Sequence, residues 1–382
     1  MEEREVLREV MKYYWNVNID NMSNFDKWER AFRNQNLYLF NNDKNGLLWL
    51  KTRAVCRGKQ LNNFLEENKI KLSSNKVAEK FMELFALLEK RRDAFHILDK
   101  FLNCLNNEWY KSIGVDENQL KDDLYKIHNY TWGGDQSNSL DKYYVSRYVK
   151  VISNFDVLQS KKREIADNAW NYIQNSWYNN WTSFLIESIF KKNPKVISAV
   201  GEIKSVDFFI EDFPLDLKVT FFPNQFMEEK IHSVLGKKTL SWLKFNCKEL
   251  GITSDKKSSE AQQIYTLKER LSETGHNEII QMLNKTRRSI IEEARRNPIE
   301  LMTWLYENQG EMRFGAENRI YLILSDPDDF EESWKLKRAY SLIEPIVTTY
   351  LNSFSPHYLK EIKFQFKGNK YQTLSDSIFV IK

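Results

Sequence analysis

Between Val206 and Thr220 the sequence VDFFIEDFPLDLKVT sets Asp207, Asp216 and Lys218 into an otherwise apolar, β-prone stretch. Side chains alternate along a strand, so Asp216 and Lys218 share one face while Leu215, Leu217 and Val219 take the other. If VDFFI and LDLKV pair as a hairpin through EDFP, Asp207 is carried towards Asp216 and Lys218. Two neighbouring carboxylates repel, and burying them is unfavourable unless they are paired or hold a cation. Aspartate oxygens are hard ligands that suit Mg²⁺, with Mn²⁺ as a substitute. A lysine beside such a cation could orient or deprotonate an attacking water, or stabilise charge on a phosphate. Residue type alone leaves those roles open. A further carboxylate, Glu187, lies among Phe184, Leu185, Ile189 and Phe190 of NWTSFLIESIFKK, a buried-helix pattern, and is a candidate third or outer-sphere ligand. The alternative is a hairpin with ordinary ion pairs on a solvent face, and a glutamate at the rim of a helix stripe.

Other chemistry-bearing residues are less organised. NKTRRSIIEEARRNP places Lys285, Arg288 and Arg295 near one helical face, and LGKKTLSW adds Lys237 and Lys238. Such faces are commonly just solvated, but they suit phosphate contacts. Arg313 and Arg319 precede an apolar run and read first as structural. None of the five histidines has a partner at ligand or triad spacing, and the three cysteines, Cys56, Cys104 and Cys247, form no zinc pattern. They read as free thiols. A net charge of +4 permits a nucleic-acid partner without arguing for one.

The elements that must position these groups fall into two parts. Apolar residues recur at helical spacing through roughly the first 170 residues, as in REVMKYYWNV and VAEKFMELFALLEKRRDAFHILDKF. NYTWGGDQSNSLDKY, residues 129–143, is the best loop or linker, and it sets the expected boundary between a helical region 1–144 and a second region 145–382. After Asn193 and Pro194 three strand-like runs, KVISAV, SVDFFI and LDLKVTFF, predict an antiparallel meander. Residues 224–312 return to helices, with GITSDKKSSEAQQ as a polar loop. NRIYLILSD then reads as a strand buried on both faces, PDDFEESWKLKRAYSLIEPIVTTYL as one helix, and EIKFQFKGNKYQTLSDSIFVIK as two strands about a Gly-Asn turn. At 42% hydrophobic residues and without a long apolar run, the chain reads as globular rather than membrane-spanning. Its acidic, amphipathic start lacks the features of a secretory signal, so the expected location is the cytoplasm.

The pattern VDFF…PLDLK, following a glutamate-bearing helix, resembles the PD-(D/E)xK nuclease superfamily, to which many type II restriction endonucleases belong. The resemblance covers about 200 residues and implies an α/β fold, with a restriction-endonuclease-like mixed sheet flanked by helices and inserted helices at about 224–312. The mostly helical N-terminal region, 1–144, resembles no family and is expected to serve recognition or dimerisation. The resemblance assigns Asp207 as the first metal-binding acid, Asp216 and Lys218 as the acid and lysine of the (D/E)xK element, and Glu187 as the acid of the preceding helix. Thr220 would line the site. One departure is that Pro214 precedes the second acid rather than the first. The implied activity is Mg²⁺-dependent hydrolysis of double-stranded DNA by a homodimeric restriction or phage-defence enzyme, for which a cognate DNA methyltransferase is a candidate partner. A non-catalytic DNA-binding or assembly subunit is the rival, as is a nuclease for RNA or branched DNA.

Overall fold

The structure is a computed structural model that describes residues 23–41, 43–130, 140–199, 203, 205–308 and 317–382. The expected helix REVMKYYWNV, the acidic start, most of the 129–143 loop and Arg313 lie outside the described residues. The fold is α/β, with helices around a six-stranded mixed sheet in the order β1-β2-β3-β4-β6-β5. Strands β1 (Val196–Ser198), β2 (Phe208–Ile210) and β3 (Phe213–Phe221) form the expected antiparallel meander. Strand β4 (Arg319–Ser325) runs parallel to β3, β6 (Asn369–Ile381) runs parallel to β4, and β5 (Lys360–Phe366) closes the sheet as a hairpin with β6. That hairpin turns at Lys367 and Gly368, both at positive φ. The expected hairpin is present, but its turn lies one residue earlier than the Gly-Asn pair read from sequence, because Asn369 already pairs with Phe366.

Both faces of the central strands are covered, as the unbroken apolar run of β4 requires. Ile320, Leu322 and Leu324 join a core with Leu185, Phe190 and Val347, supplied by the helices Lys162–Lys191 and Tyr340–Ser353. Tyr321 and Ile323 point the other way, into a core with Met227, Leu267, Ile291 and Leu305. That second layer consists of the helices Asn224–Leu235, Thr239–Lys248, Glu260–Glu273, Asn277–Arg296 and Ile299–Asn308. Among the described residues no helix is long and apolar enough to cross a membrane.

Local chemistry moves three expected boundaries. The β2–β3 turn is only Glu211 and Asp212, at φ 45° and 67°, because Phe213 and Pro214 already pair with Ile210 and Phe209. Pro214 lies before the first β3–β4 pair, Asp216 with Arg319, so its missing N–H costs no bond to β4. After β4 the chain forms a 3₁₀ segment, Phe330–Arg338, before the helix Tyr340–Ser353, rather than one helix. Arg338 is held there by donating to the carbonyls of Leu124 (2.9 Å) and Ile127 (2.7 Å). The helical stretch from Val145 is likewise broken before Phe155, where Asn154 caps a new helix by accepting from the Val157 amide at 3.1 Å.

Helices Asn24–Arg33, Lys44–Val55, Gly58–Glu67, Val77–Glu89 and Ala94–Ile113 build a core around Trp28, Trp49 and Phe64. Val206 and Phe209 of the meander complete that core. A buried cation ties the two parts together: Lys51, 1% exposed, reaches Asp99 at 2.8 Å and Asp212 of the hairpin turn at 2.9 Å. Removing the lysine strands a carboxylate in a partly buried setting. Lys51→Ala should therefore destabilise the protein by ~3–5 kcal/mol. Asp212→Ala, at a side chain 59% exposed, should cost ~1 kcal/mol or less. Urea unfolding followed by tryptophan fluorescence checks both, and equal losses would contradict this account of the clamp.

Candidate active site

Strand β2 ends its pairing with β3 at Phe208 and Leu215, while β3 continues to Phe221. From Asp216 onwards β3 has β4 on one side and no β2 on the other. Asp207, one residue before β2, fills the first place along that edge. Its backbone N–H donates to the Leu215 carbonyl at 2.9 Å, and its Oδ2 accepts from the Leu217 N–H at 2.8 Å. The carboxylate thus satisfies a strand-edge donor that a longer β2 would have used. Asp216 and Lys218 sit on the same strand, on the face shared with Tyr321.

The electrostatics follow from this crowding. Burial pushes the Asp207 carboxyl up to about 7, and the negative charges of Asp216 and Glu187 add to the effect, opposed by the Leu217 hydrogen bond and by Lys191. Burial also lowers the pKa of Lys218, and the Arg319 guanidinium lowers it further, with Asp216 acting the other way. Glu187 lies near enough to act on Asp207, and its carboxylate takes an ion pair from Lys191 at 3.0 Å. Asp216 and Glu187 thus act on Asp207, and Lys218 lies within the charge field of Asp216. Thr220 shares the strand face, and its hydroxyl donates to the Phe221 carbonyl at 3.2 Å.

The principal addition is Arg319. Its Nε donates to Asp216 Oδ2 at 2.7 Å, its Nη1 to the Tyr321 hydroxyl at 3.3 Å, and its second amino group pairs with buried Glu317. Arg319 is thus placed in direct contact with the site, where the sequence favours a structural role over one at the site. Its position before an apolar run was visible in sequence, but the parallel register that sets it opposite Asp216 was not. A second addition is Lys337, which burial, reinforced by the Lys218 charge, lowers to about 8. It donates to Asn179 Oδ1 at 2.9 Å.

The arrangement fits a hard divalent cation in a particular way. Among the described residues no three carboxylate, histidine or cysteine side chains converge as a ready-made cage. Asp207 and Asp216 offer oxygen ligands only, and one oxygen of Asp216 is already engaged by Arg319. A cation held by one or two carboxylates, with water and phosphate oxygens for the rest, is the habit of Mg²⁺.

The other basic candidates lie apart from this cluster. Lys285, Arg288 and Arg295 are on the exposed face of the helix Asn277–Arg296. There Arg288 pairs with Asp328 at 2.8 Å and Arg295 with Glu292 at 2.8 Å. Lys237 and Lys238 are exposed before the helix Thr239–Lys248, with Lys237 over the Phe245 ring at 5.2 Å.

Because Asp207 in the fold titrates near 7, above the ordinary carboxylate range, the stability tied to its protonated form is complete at acid pH and lost as pH rises through about 7. Asp207→Asn cannot ionise and escapes that loss. In chelator, the variant should be more stable than wild type at pH 8 by up to ~4 kcal/mol, the gap closing towards pH 4. Denaturant titrations at the two pH values check this, and a pH-independent difference would contradict it. Comparison of the chain with protein-family models, with curated proteins and with solved structures returns no match, so functional inference rests on the site itself.

Proposed function

We propose that the protein is a Mg²⁺-dependent endodeoxyribonuclease of the PD-(D/E)xK type, acting in restriction or phage defence. One observation carries the reading: Asp207, Asp216 and Lys218 gather at the open edge of β3, beside Glu187 of the helix that leads into the meander. The element order supports it, since a helix, three antiparallel strands, intervening helices and a strand parallel to the third match the order expected from the superfamily resemblance.

On this reading Asp207 and Asp216 hold the cation, and Glu187 contributes negative charge beside them. The cation, Mg²⁺ or Mn²⁺, supplies Lewis acidity and neutralises charge at the phosphate. Arg319 fixes the orientation of Asp216 through one of its oxygens, leaving the other to the cation. Lys218, its pKa lowered by burial, shares the strand face of Asp216 and would position the attacking water and meet charge building on the phosphoryl oxygens. Cutting both strands of a duplex requires two such sites, hence a homodimer.

The Arg319–Asp216 ion pair favours a second reading, a DNA-binding or assembly subunit without catalysis, because it already neutralises one of the acids. Metal titration separates the two. A nuclease should bind Mn²⁺ with an affinity that Asp207→Ala lowers at least tenfold, whereas a non-catalytic subunit should bind neither ion at this edge.

Incubation with a long, unmodified phage genome in Mg²⁺ tests the activity directly. Discrete fragments are expected from wild type, with Lys218→Ala slower by ~10²–10⁴-fold and its DNA binding little changed. Unchanged cutting by Lys218→Ala would refute the mechanism. No cutting of DNA by wild type in Mg²⁺ or Mn²⁺ would overturn the DNA reading, and cutting only of RNA or branched DNA would redirect it.

A further inference from the structure

A cleft of about 660 Å³ opens between the helix Ala94–Ile113 and the junction of the long helix with β1. Its wall on the first helix carries Asn103, Asn106 and Asn107 at i, i+3 and i+4, so their amides lie on one helical face. Lys111 stands on the rim. The opposite wall carries Lys191 and Lys192.

Asn106 is the informative residue. It is 6% exposed, it lines the cleft, and its side-chain amide makes no hydrogen bond to any described residue. An amide that no protein group engages and that opens onto the cleft keeps both its donors and its acceptor for a ligand. The charges define its class. Three lysines face the cleft against one carboxylate, Glu117, so the cleft favours an anion. Lys192 pairs with Glu117 at 2.7 Å and Lys191 with Glu187 at 3.0 Å, but an ammonium carries three donors and each lysine keeps capacity for a further acceptor. Amide groups that both donate and accept suit the edge of a nucleobase, and lysines suit its phosphate. The volume lies within the ~300–1,000 Å³ usual for small-ligand sites.

Lys191 links the cleft to the candidate catalytic edge, because it lines the cleft wall, pairs with Glu187 at 3.0 Å and acts on the charge of Asp207. We infer that this cleft is a nucleotide subsite that holds one or two units of a nucleic-acid strand next to the phosphate being cut, with the base against the asparagine face and the backbone against the lysines. The placement of the strand rests on the nuclease reading. The nucleotide chemistry of the cleft does not.

The test is fluorescence anisotropy of a labelled six-nucleotide single-stranded DNA with the full chain in chelator, where no hydrolysis occurs. AMP serves as competitor. Wild type should bind the hexamer, Asn106→Leu and Lys111→Glu should each weaken binding at least fivefold, and AMP should compete only at much higher concentration. Lys111 is exposed, so its variant keeps the fold even if the Asn106 variant does not, and thermal melts verify each. Equal binding by wild type and Lys111→Glu, or no binding by wild type, overturns the proposal. Competition by AMP as effective as the hexamer overturns the strand assignment in favour of a free nucleotide. Cleavage of the phage genome, sensitive to Lys218→Ala, is read in parallel, so a failed subsite and a failed nuclease reading give different results.

Discussion

The length mismatch between β2 and β3 is the constraint on which the site depends. A strand edge presents backbone donors that must be satisfied, and where β2 stops, Asp207 supplies a carboxylate oxygen to the Leu217 N–H. That bond brings one acid into the charge field of another, Asp216, on the adjoining strand. A longer β2 would have paired the edge and excluded the side chain. The chemistry of the site is therefore a consequence of where a hydrogen-bond ladder ends.

Crowding of like charges at this edge is tolerated because cations surround it. Arg319 faces Asp216 across the parallel β3–β4 register, and Lys191 faces Glu187 along one turn of the long helix. Asp207 keeps a strongly raised pKa, with burial the largest cause. It is the residue most responsive to an added positive charge, whether a cation, a proton or the loss of its own charge on substitution. Buried lysines sit nearby in Lys218 and Lys337, each with its pKa lowered by burial. The edge thus holds one acid, Asp207, and two lysines whose pKa values have been drawn towards neutrality, which is the condition that proton-transfer chemistry favours.

The N-terminal helices do more than precede the sheet. Their core is completed by Val206 and Phe209, the residues on either side of Asp207 and Phe208, and Lys51 grips the turn that joins β2 to β3. Packing on one side and an ion pair at the tip fix the hairpin's position, and with it the reach of Asp207. The same helices supply the asparagine wall of the cleft that Lys191 links to the candidate site. A helical region with no recognisable motif is, in the folded chain, one wall of the region where substrate would lie.

Much of this was written locally in the chain. Alternation within LDLKV placed Asp216 and Lys218 on one face, the unbroken apolar run IYLILS announced a strand covered on both sides, and the Gly-Asn signal located the last hairpin. These are readable because side-chain direction in a strand repeats every two residues, whatever the strand packs against. Contacts between distant segments have no such local period. The pairing of Arg319 with Asp216 depends on the parallel register, and the grip of Lys51 on Asp212 spans the two parts of the chain. The approach of Lys337 to Lys218 and the solitary amide of Asn106 depend on how separate helices and strands pack. The sequence by itself determined which residue types could form an acid–lysine site and on which strands. Only tertiary packing decided which charges balance them and which cleft leads to them, because burial and long-range charge pairing arise from the assembled fold.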